Sequence, residues 1–208
     1  MQLSVTEIAE AVSARIVAAP NPDAQIASVT WDSRTAGEGS LYVALAGERV
    51  DGHDFVLAAV SAGAHCVLVT RALPDEMVAR VQELGAAILL VDDAQEAITD
   101  LACAWRCRLR GRVVGLTGSN GKTTTKNLVR DVLSCAGSVT ATRGNQNNEL
   151  GVPNTLLAAD ADTRNVVVEM GMRGLGQIES LCSFVRPEWG IVTQVGESHI
   201  ELLGSREN

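Results

Sequence analysis

Residues Thr117, Gly118, Ser119, Asn120, Gly121, Lys122, Thr123 and Thr124 follow an apolar run from Arg112 to Leu116. The order predicts a buried strand feeding a glycine loop and then a helix, which is the build of a phosphate cradle. Glycines let backbone N–H groups converge on a polyphosphate, and the helix N-terminus adds a favourable dipole. Lys122 is the natural partner of the terminal phosphates and Thr123 the natural Mg²⁺ ligand, because those positions call for a compact ammonium and a hydroxyl. The general pattern G-x-x-x-x-G-K-[ST] wants glycine at position 116 and meets Leu116 instead. That departure narrows the field to proteins that write the loop T-G-[TS]-N-G-K-[TS]-[TS]. A nucleoside triphosphate is the expected ligand.

Further polar groups could join that chemistry. Glu169 ends a run of three valines, so its carboxylate is expected at the carboxyl edge of the sheet, where open α/β sheets bind ligands. It is either a second Mg²⁺ contact or an exposed strand-end acid. His199 follows a strand and reads equally as a metal-site residue or a solvent-facing side chain. The loop from Arg143 to Pro153 carries Asn145, Asn147, Asn148 and Glu149. Its amides could orient a carboxylate or phosphate without bringing charge, or the segment is a turn-rich linker. Nearer the start, Asp32-Ser33-Arg34 and the stretch Gly47 to His53, with Asp51 and Gly52, are polar loops that hold a ligand or merely cap turns.

The elements that must position these groups alternate. Ser4-Val5-Thr6-Glu7 has capping-box spacing, so a short amphipathic helix should start there and end by Pro20 and Pro22. Strands are expected over 26–31 and 40–45, then helix 55–62, strand 66–70, helix 75–84 and strand 86–91. Apolar residues at 98, 101, 102, 105 and 109 predict a helix over 95–109 that leads into the glycine-loop strand. Beyond it come helix 124–136, strands 138–142 and 165–169, helix 177–184 and strand 189–193. This is an α/β chain in two domains: a small amino-terminal α/β domain over 1–93, and over 94–208 a P-loop domain with a mostly parallel sheet that looks incomplete.

Composition agrees. The 208 residues are 46% hydrophobic with two Phe, three Trp and one Tyr, so the cores must be built from Val, Leu, Ile and Ala. A formal charge of −8 argues against a sequence-independent nucleic-acid binder. The sequence offers no signal peptide and no apolar run of membrane-spanning length, so a cytoplasmic location is expected. The five cysteines are an odd number at scattered positions and read as reduced thiols.

Taken together, TGSNGKTTTKNL at 117–128, GNQNNELGVPNTLL at 144–157, EMGMRGLGQI at 169–178 and GESHIELLGS at 196–205 resemble the Mur ligases of peptidoglycan synthesis. Within that family the asparagine motif and the E-M-G string look most like the MurF type. The amino-terminal strings Asp32-Ser33-Arg34, Gly39 to Gly47 and Asp51 to Phe55 are similar to the family's uridine-nucleotide domain. The T-T-P and E-x-S-S strings of the type that adds the third amino acid are absent.

The resemblance implies an ATP-dependent amide ligase that joins D-alanyl-D-alanine to UDP-N-acetylmuramoyl-tripeptide through an acyl phosphate. Residues 117–124 would then bind ATP, and Lys122, His199, Asn145 and Asn148 would serve catalysis. Thr123, Glu169 and His199 would hold Mg²⁺, while Asp32, Ser33, Arg34, Gly47, Asp51 and His53 would hold the nucleotide sugar. A family lysine at the second metal and most of the D-alanyl-D-alanine site have no counterpart before Asn208, so this chain is expected to be inactive alone and to self-associate through an exposed core. Two other readings compete: a nucleotide-sugar binding module without catalysis, and a different amide ligase of the superfamily.

Overall fold

The computed structural model describes residues 1–47 and 50–196. They pack as two compact units that divide after Leu101, each with its own mostly or wholly parallel sheet.

The first unit opens with β1 (Leu3–Ser4) and α1 (Val5–Ala11). Here the capping box forms: the Glu7 N–H donates to Ser4 Oγ at 3.1 Å, and the Ser4 N–H donates to Glu7 Oε2 at 2.7 Å. The helix ends sooner than Pro20 and Pro22 suggest. Ser13 takes a left-handed φ of 51°, and the chain turns into a strand, β2 (Arg15–Ala18). The strand expected over 26–31 is two pieces, β3 (Gln25–Ile26) and β4 (Ser28–Thr30). The first pairs antiparallel with β1, the second parallel with β5 (Ser40–Val43), so the break at Ala27 lets one segment serve two sheets.

Next come α2 (Val56–Ser61), β6 (Ala64–Val69), α3 (Asp75–Glu83) and β7 (Ala87–Leu90), in the expected rhythm. The sheet order is β2-β7-β6-β5-β4, with β4 to β7 parallel and β2 antiparallel on its edge. Its core is aliphatic, as the composition requires: Val56, Val60, Val67, Val69, Val81 and Ile88 pack around Tyr42. Each fully buried side chain of this kind stabilises the fold by roughly 1.5–3 kcal/mol.

Helix α4 (Ala94–Arg106) contains the division between the units, which the packing puts after Leu101 and the sequence expectation puts at 93/94. The second unit then runs β8 (Arg112–Thr117), α5 (Lys122–Ser134), β9 (Val139–Ala141), α6 (Gly151–Leu157), β10 (Asn165–Glu169), α7 (Gln177–Val185) and β11 (Trp189–Val192). All three strand pairings are parallel, in the order β11-β8-β10-β9. Val166, Val167 and Val168 are fully buried, as expected of a strand covered on both faces.

Helix α6 has no counterpart in the sequence expectation. Its Pro153 sits in the first turn, where a missing N–H costs nothing, and Asn148 Oδ1 accepts the Gly151 N–H at 3.0 Å. The end of that loop, from Gly151, is therefore part of a mostly buried helix and not of a turn-rich linker.

Candidate functional site

Parallel pairing fixes where the reactive side chains emerge. Leu116 lies opposite Glu169, so the ends of β8 and β10 and the loops beyond them share one edge of the sheet. Leu116 itself is completely buried within β8, which accounts for its place in the motif: position 116 belongs to the core, and the loop begins at Gly118. Gly118 has φ 134°, and a Cβ there would lie 2.2 Å from Thr193 Oγ1. Gly121, at φ 80°, turns the chain into α5, which starts at Lys122 and so two residues earlier than expected. Thirteen residues of helix thus direct their free N-terminal amides into the loop.

The loop is also stapled from behind. Its Ser119 N–H donates to Gln194 O at 2.8 Å, the Gly196 N–H donates to Ser119 Oγ at 2.8 Å, and Thr193 Oγ1 donates to Asn120 O at 2.6 Å. Lys122 folds back over this loop, its Nζ donating to Gly118 O at 2.7 Å.

Glu169 is the centre of the arrangement. It is 1% exposed, which excludes the reading as a solvated strand-end acid. Oε1 accepts from Thr123 Oγ1 at 3.3 Å and from Asn147 Nδ2 at 2.9 Å. Oε2 has no hydrogen bond but faces the ammonium of Lys126 at 3.4 Å. Lys126 is buried too, and its Nζ also donates to Gly144 O. Sequence reasoning missed Lys126, which looks like one more surface lysine of a polar helix. Its spacing of four from Lys122 was the available signal, since it sets both lysines on one side of α5.

Among the three asparagines, Asn147 reaches the carboxylate, and its backbone also binds the Gly171 N–H at 2.9 Å. Asn148 spends its oxygen on Gly151, while Asn145, Asn148 and Glu149 have exposed side chains. Lys122, Asn147, Asn148, Glu149, Arg173 and Gln177 border a cleft of about 260 Å³ beside the loop. His199 lies outside the described residues. Among the described residues no three His, Cys, Asp or Glu side chains converge as a metal cluster. The donors that suit a hard cation are therefore Thr123 Oγ1 and the Glu169 carboxylate, whose buried Oε2 lacks a hydrogen-bond donor.

The polar loops of the first unit close on themselves. Arg34 binds Asp32 with both ends of its fork, at 2.8 and 2.7 Å, and this holds the Asp32 carboxyl down at about 2. Ser33 starts the short turn that Asp32 caps, and the Arg34 side chain stays 87% exposed. Asp51 accepts from the His53 N–H at 2.9 Å, from His53 Nδ1 at 2.6 Å and from Arg71 at 2.8 Å. The backbone bond from His53, followed by its ring, lowers the Asp51 pKa.

The His53 ring is buried, and its Nε2 accepts the Thr70 N–H at 3.0 Å, so the ring proton sits on Nδ1. Gly52 and Gly47 shape the same loop: the Gly52 carbonyl accepts from Tyr42 Oη at 2.9 Å, and the Gly47 N–H donates to Val50 O at 3.0 Å. His53, Asp54, Arg71 and Met77 line a cavity of about 430 Å³.

Comparison with known proteins gives this geometry a context. Residues 116–208 match the Mur ligase middle domain, and residues 25–106 match the domain described as Mur ligase family, catalytic domain. The chain is 42% identical over 205 residues to a UDP-N-acetylmuramoyl-tripeptide--D-alanyl-D-alanine ligase of Synechocystis, covering 98% of this chain and 41% of that protein. The Bacillus subtilis ligase of the same description is 40% identical, with 98% and 43% covered. This chain thus spans less than half the length of the curated relatives it matches.

Among solved structures, MurF from Acinetobacter baumannii superposes with a TM-score of 0.85 at 31% identity, over 100% of this chain and 44% of that one. MurF ligase from Thermotoga maritima in complex with ADP gives 0.73 at 33% identity, over 86% and 40%. A phosphate loop on a parallel sheet, a buried glutamate at its rim and two matched domains in sequence order lead to one conclusion: this chain belongs to the Mur ligase family.

Proposed function

We propose that this chain supplies the nucleotide-sugar and ATP-binding parts of a ligase that joins D-alanyl-D-alanine to UDP-N-acetylmuramoyl-tripeptide in the cytoplasm. Residues 1–93 would bind the UDP-muramoyl peptide and residues 94–208 the ATP. The observation that carries the reading is the buried Glu169 carboxylate, held against Thr123 by Asn147 at the mouth of the Lys122 loop.

In this reading the γ-phosphoryl group passes to the terminal carboxylate of the tripeptide. The amine of D-alanyl-D-alanine then attacks the acyl phosphate and expels phosphate. Lys122 exchanges Gly118 O for phosphate oxygens, and the amides of residues 118–123 cradle the chain of phosphates. Thr123 and Glu169 would hold Mg²⁺, with His199 as the family's further contributor, and the ion would offset charge on the transferred group. Asn147 keeps the carboxylate in one orientation, while the exposed amide of Asn145 and the amide nitrogen of Asn148, whose oxygen is held by Gly151, would meet the substrate. In the first unit the exposed Arg34 guanidinium would have to exchange Asp32 for an anionic group of the nucleotide sugar, beside the loop built on Asp51 and His53.

Calorimetric titration tests this in two arms, one with the UDP-muramoyl tripeptide and one with Mg²⁺ and a nonhydrolysable ATP analogue. Binding in both arms supports the proposal. Binding of the sugar nucleotide alone reduces the chain to a binding module, and binding in neither arm sinks the proposal.

A further inference from the structure

Lys126 has no place in the chemistry described so far, yet it is 1% exposed and its ammonium lies 3.4 Å from Glu169 Oε2. Burying an ammonium is costly unless it is paired and hydrogen-bonded, and Lys126 has one carboxylate and one carbonyl, Gly144 O, for the purpose. The same carboxylate presents its other oxygen to Thr123, the pair that suits a divalent cation. Two positive charges therefore compete for one buried carboxylate. Gly144 lies near the start of the asparagine loop, so a single ammonium ties that end of the loop to the carboxylate whose other oxygen Asn147 binds.

We propose that Lys126 is a positioning residue that acts as a resident counter-ion for Glu169. It holds the carboxylate and the asparagine loop in working geometry while no metal is present, and it makes divalent-cation binding conditional on the arrival of polyphosphate. The inference rests on the reading of Thr123 and Glu169 as the cation pair. With Lys126 in place the site already holds one positive charge against one negative, and a divalent ion entering alone meets repulsion at close range. A nucleotide's phosphates reverse that balance, so the cation and the nucleotide bind as a unit. Metal without nucleotide would otherwise occupy the loop unproductively.

The test is Mn²⁺ binding to the chain without nucleotide, read by electron paramagnetic resonance and by the shift of the melting temperature. Lys126→Gln keeps a hydrogen-bond donor on a shorter side chain but lacks the charge, and it should bind Mn²⁺ about tenfold more tightly than the unaltered chain. Its melting temperature should be lower without metal and should rise further with Mn²⁺ than that of the unaltered chain. Lys126→Arg keeps the charge and should retain the unaltered response. Equal Mn²⁺ affinity in the Gln variant and the unaltered chain overturns the inference, and so does an Arg variant that behaves like Gln. A Gln variant that fails to fold at any Mn²⁺ concentration also overturns it, because the cation would then be no substitute for the ammonium. Binding of Mn²⁺ with ADP to the unaltered chain, measured alongside, reports separately on the parent proposal.

Discussion

Asp51 and Glu169 are carboxylates on the two sheets' loops and strand ends, and both are held by several donors. Asp51 remains a third exposed and receives a backbone N–H, a ring N–H and a guanidinium, so water and protein together satisfy it. Glu169 is sealed from water, yet one of its oxygens has no hydrogen bond. The first arrangement fixes the shape of a loop. The second sets a buried ion pair at the rim of the glycine loop, with the Lys126 ammonium 3.4 Å from an oxygen that no donor binds, and buried groups left without a hydrogen bond call for an explanation beyond packing.

Four substitutions sharpen or break this contrast. Lys122→Ala should weaken the ATP analogue about 30- to 100-fold, the value of a charge-assisted contact, while leaving the sugar-nucleotide arm of the titration unchanged. Equal loss in both arms would mean that the two regions are not functionally separate. Gly52→Ala should strike the first unit alone: its Cβ would lie 2.7 Å from the Leu45 backbone N and O, atoms that cannot swing aside. A loss of about 1–3 kcal/mol in chemical denaturation is expected, with ATP-analogue affinity intact where the chain remains folded.

His53→Leu leaves the Thr70 N–H and Asp51 without their ring partner, and should cost about 1–3 kcal/mol by the same assay. A neutral outcome would show that the Asp51 cluster is not what holds its loop. The smallest effect belongs to Asp32→Asn. The Asp32 pKa falls from 3.8 to about 2 on folding, so its bond to Arg34 stabilises the fold above pH 3.8 and is lost as pH drops toward about 2. Removing the carboxylate should flatten that part of the acid-denaturation curve by a small amount, because both groups are solvated.

Legibility in the sequence followed burial and periodicity. The runs behind β8 and β10 are continuous stretches of apolar residues, and the glycine loop between strand and helix is unambiguous, so the strand, loop and helix could be placed from their letters. Strand β2 was hidden because Arg15, Ile16 and Val17 are all exposed on an edge, which leaves no alternation to detect. Helix α6 was hidden by Gly151 and Pro153, residues that read as loop until one sees that both occupy its first turn. Within the site, the sequence indicated Lys122, Thr123 and Glu169 but could not choose among the asparagines, since that depends on which amide the turn aims at the carboxylate. Lys126 was missed because its spacing from Lys122 gives only the side of the helix it shares, while its burial depends on the carboxylate and carbonyl that the fold brings to it.

The staple behind the glycine loop bears on how the chain is made. Ser119 and Gly196 are 77 positions apart, and Asn120 and Thr193 are 73 apart. A ribosome adding about 5–20 residues per second takes roughly 4–15 s to cover that distance. During that interval the nascent protein already carries its glycine loop but lacks the contacts that give the loop its shape. The loop is thus timed by synthesis: it cannot keep its finished shape until Thr193 and Gly196 have left the exit tunnel.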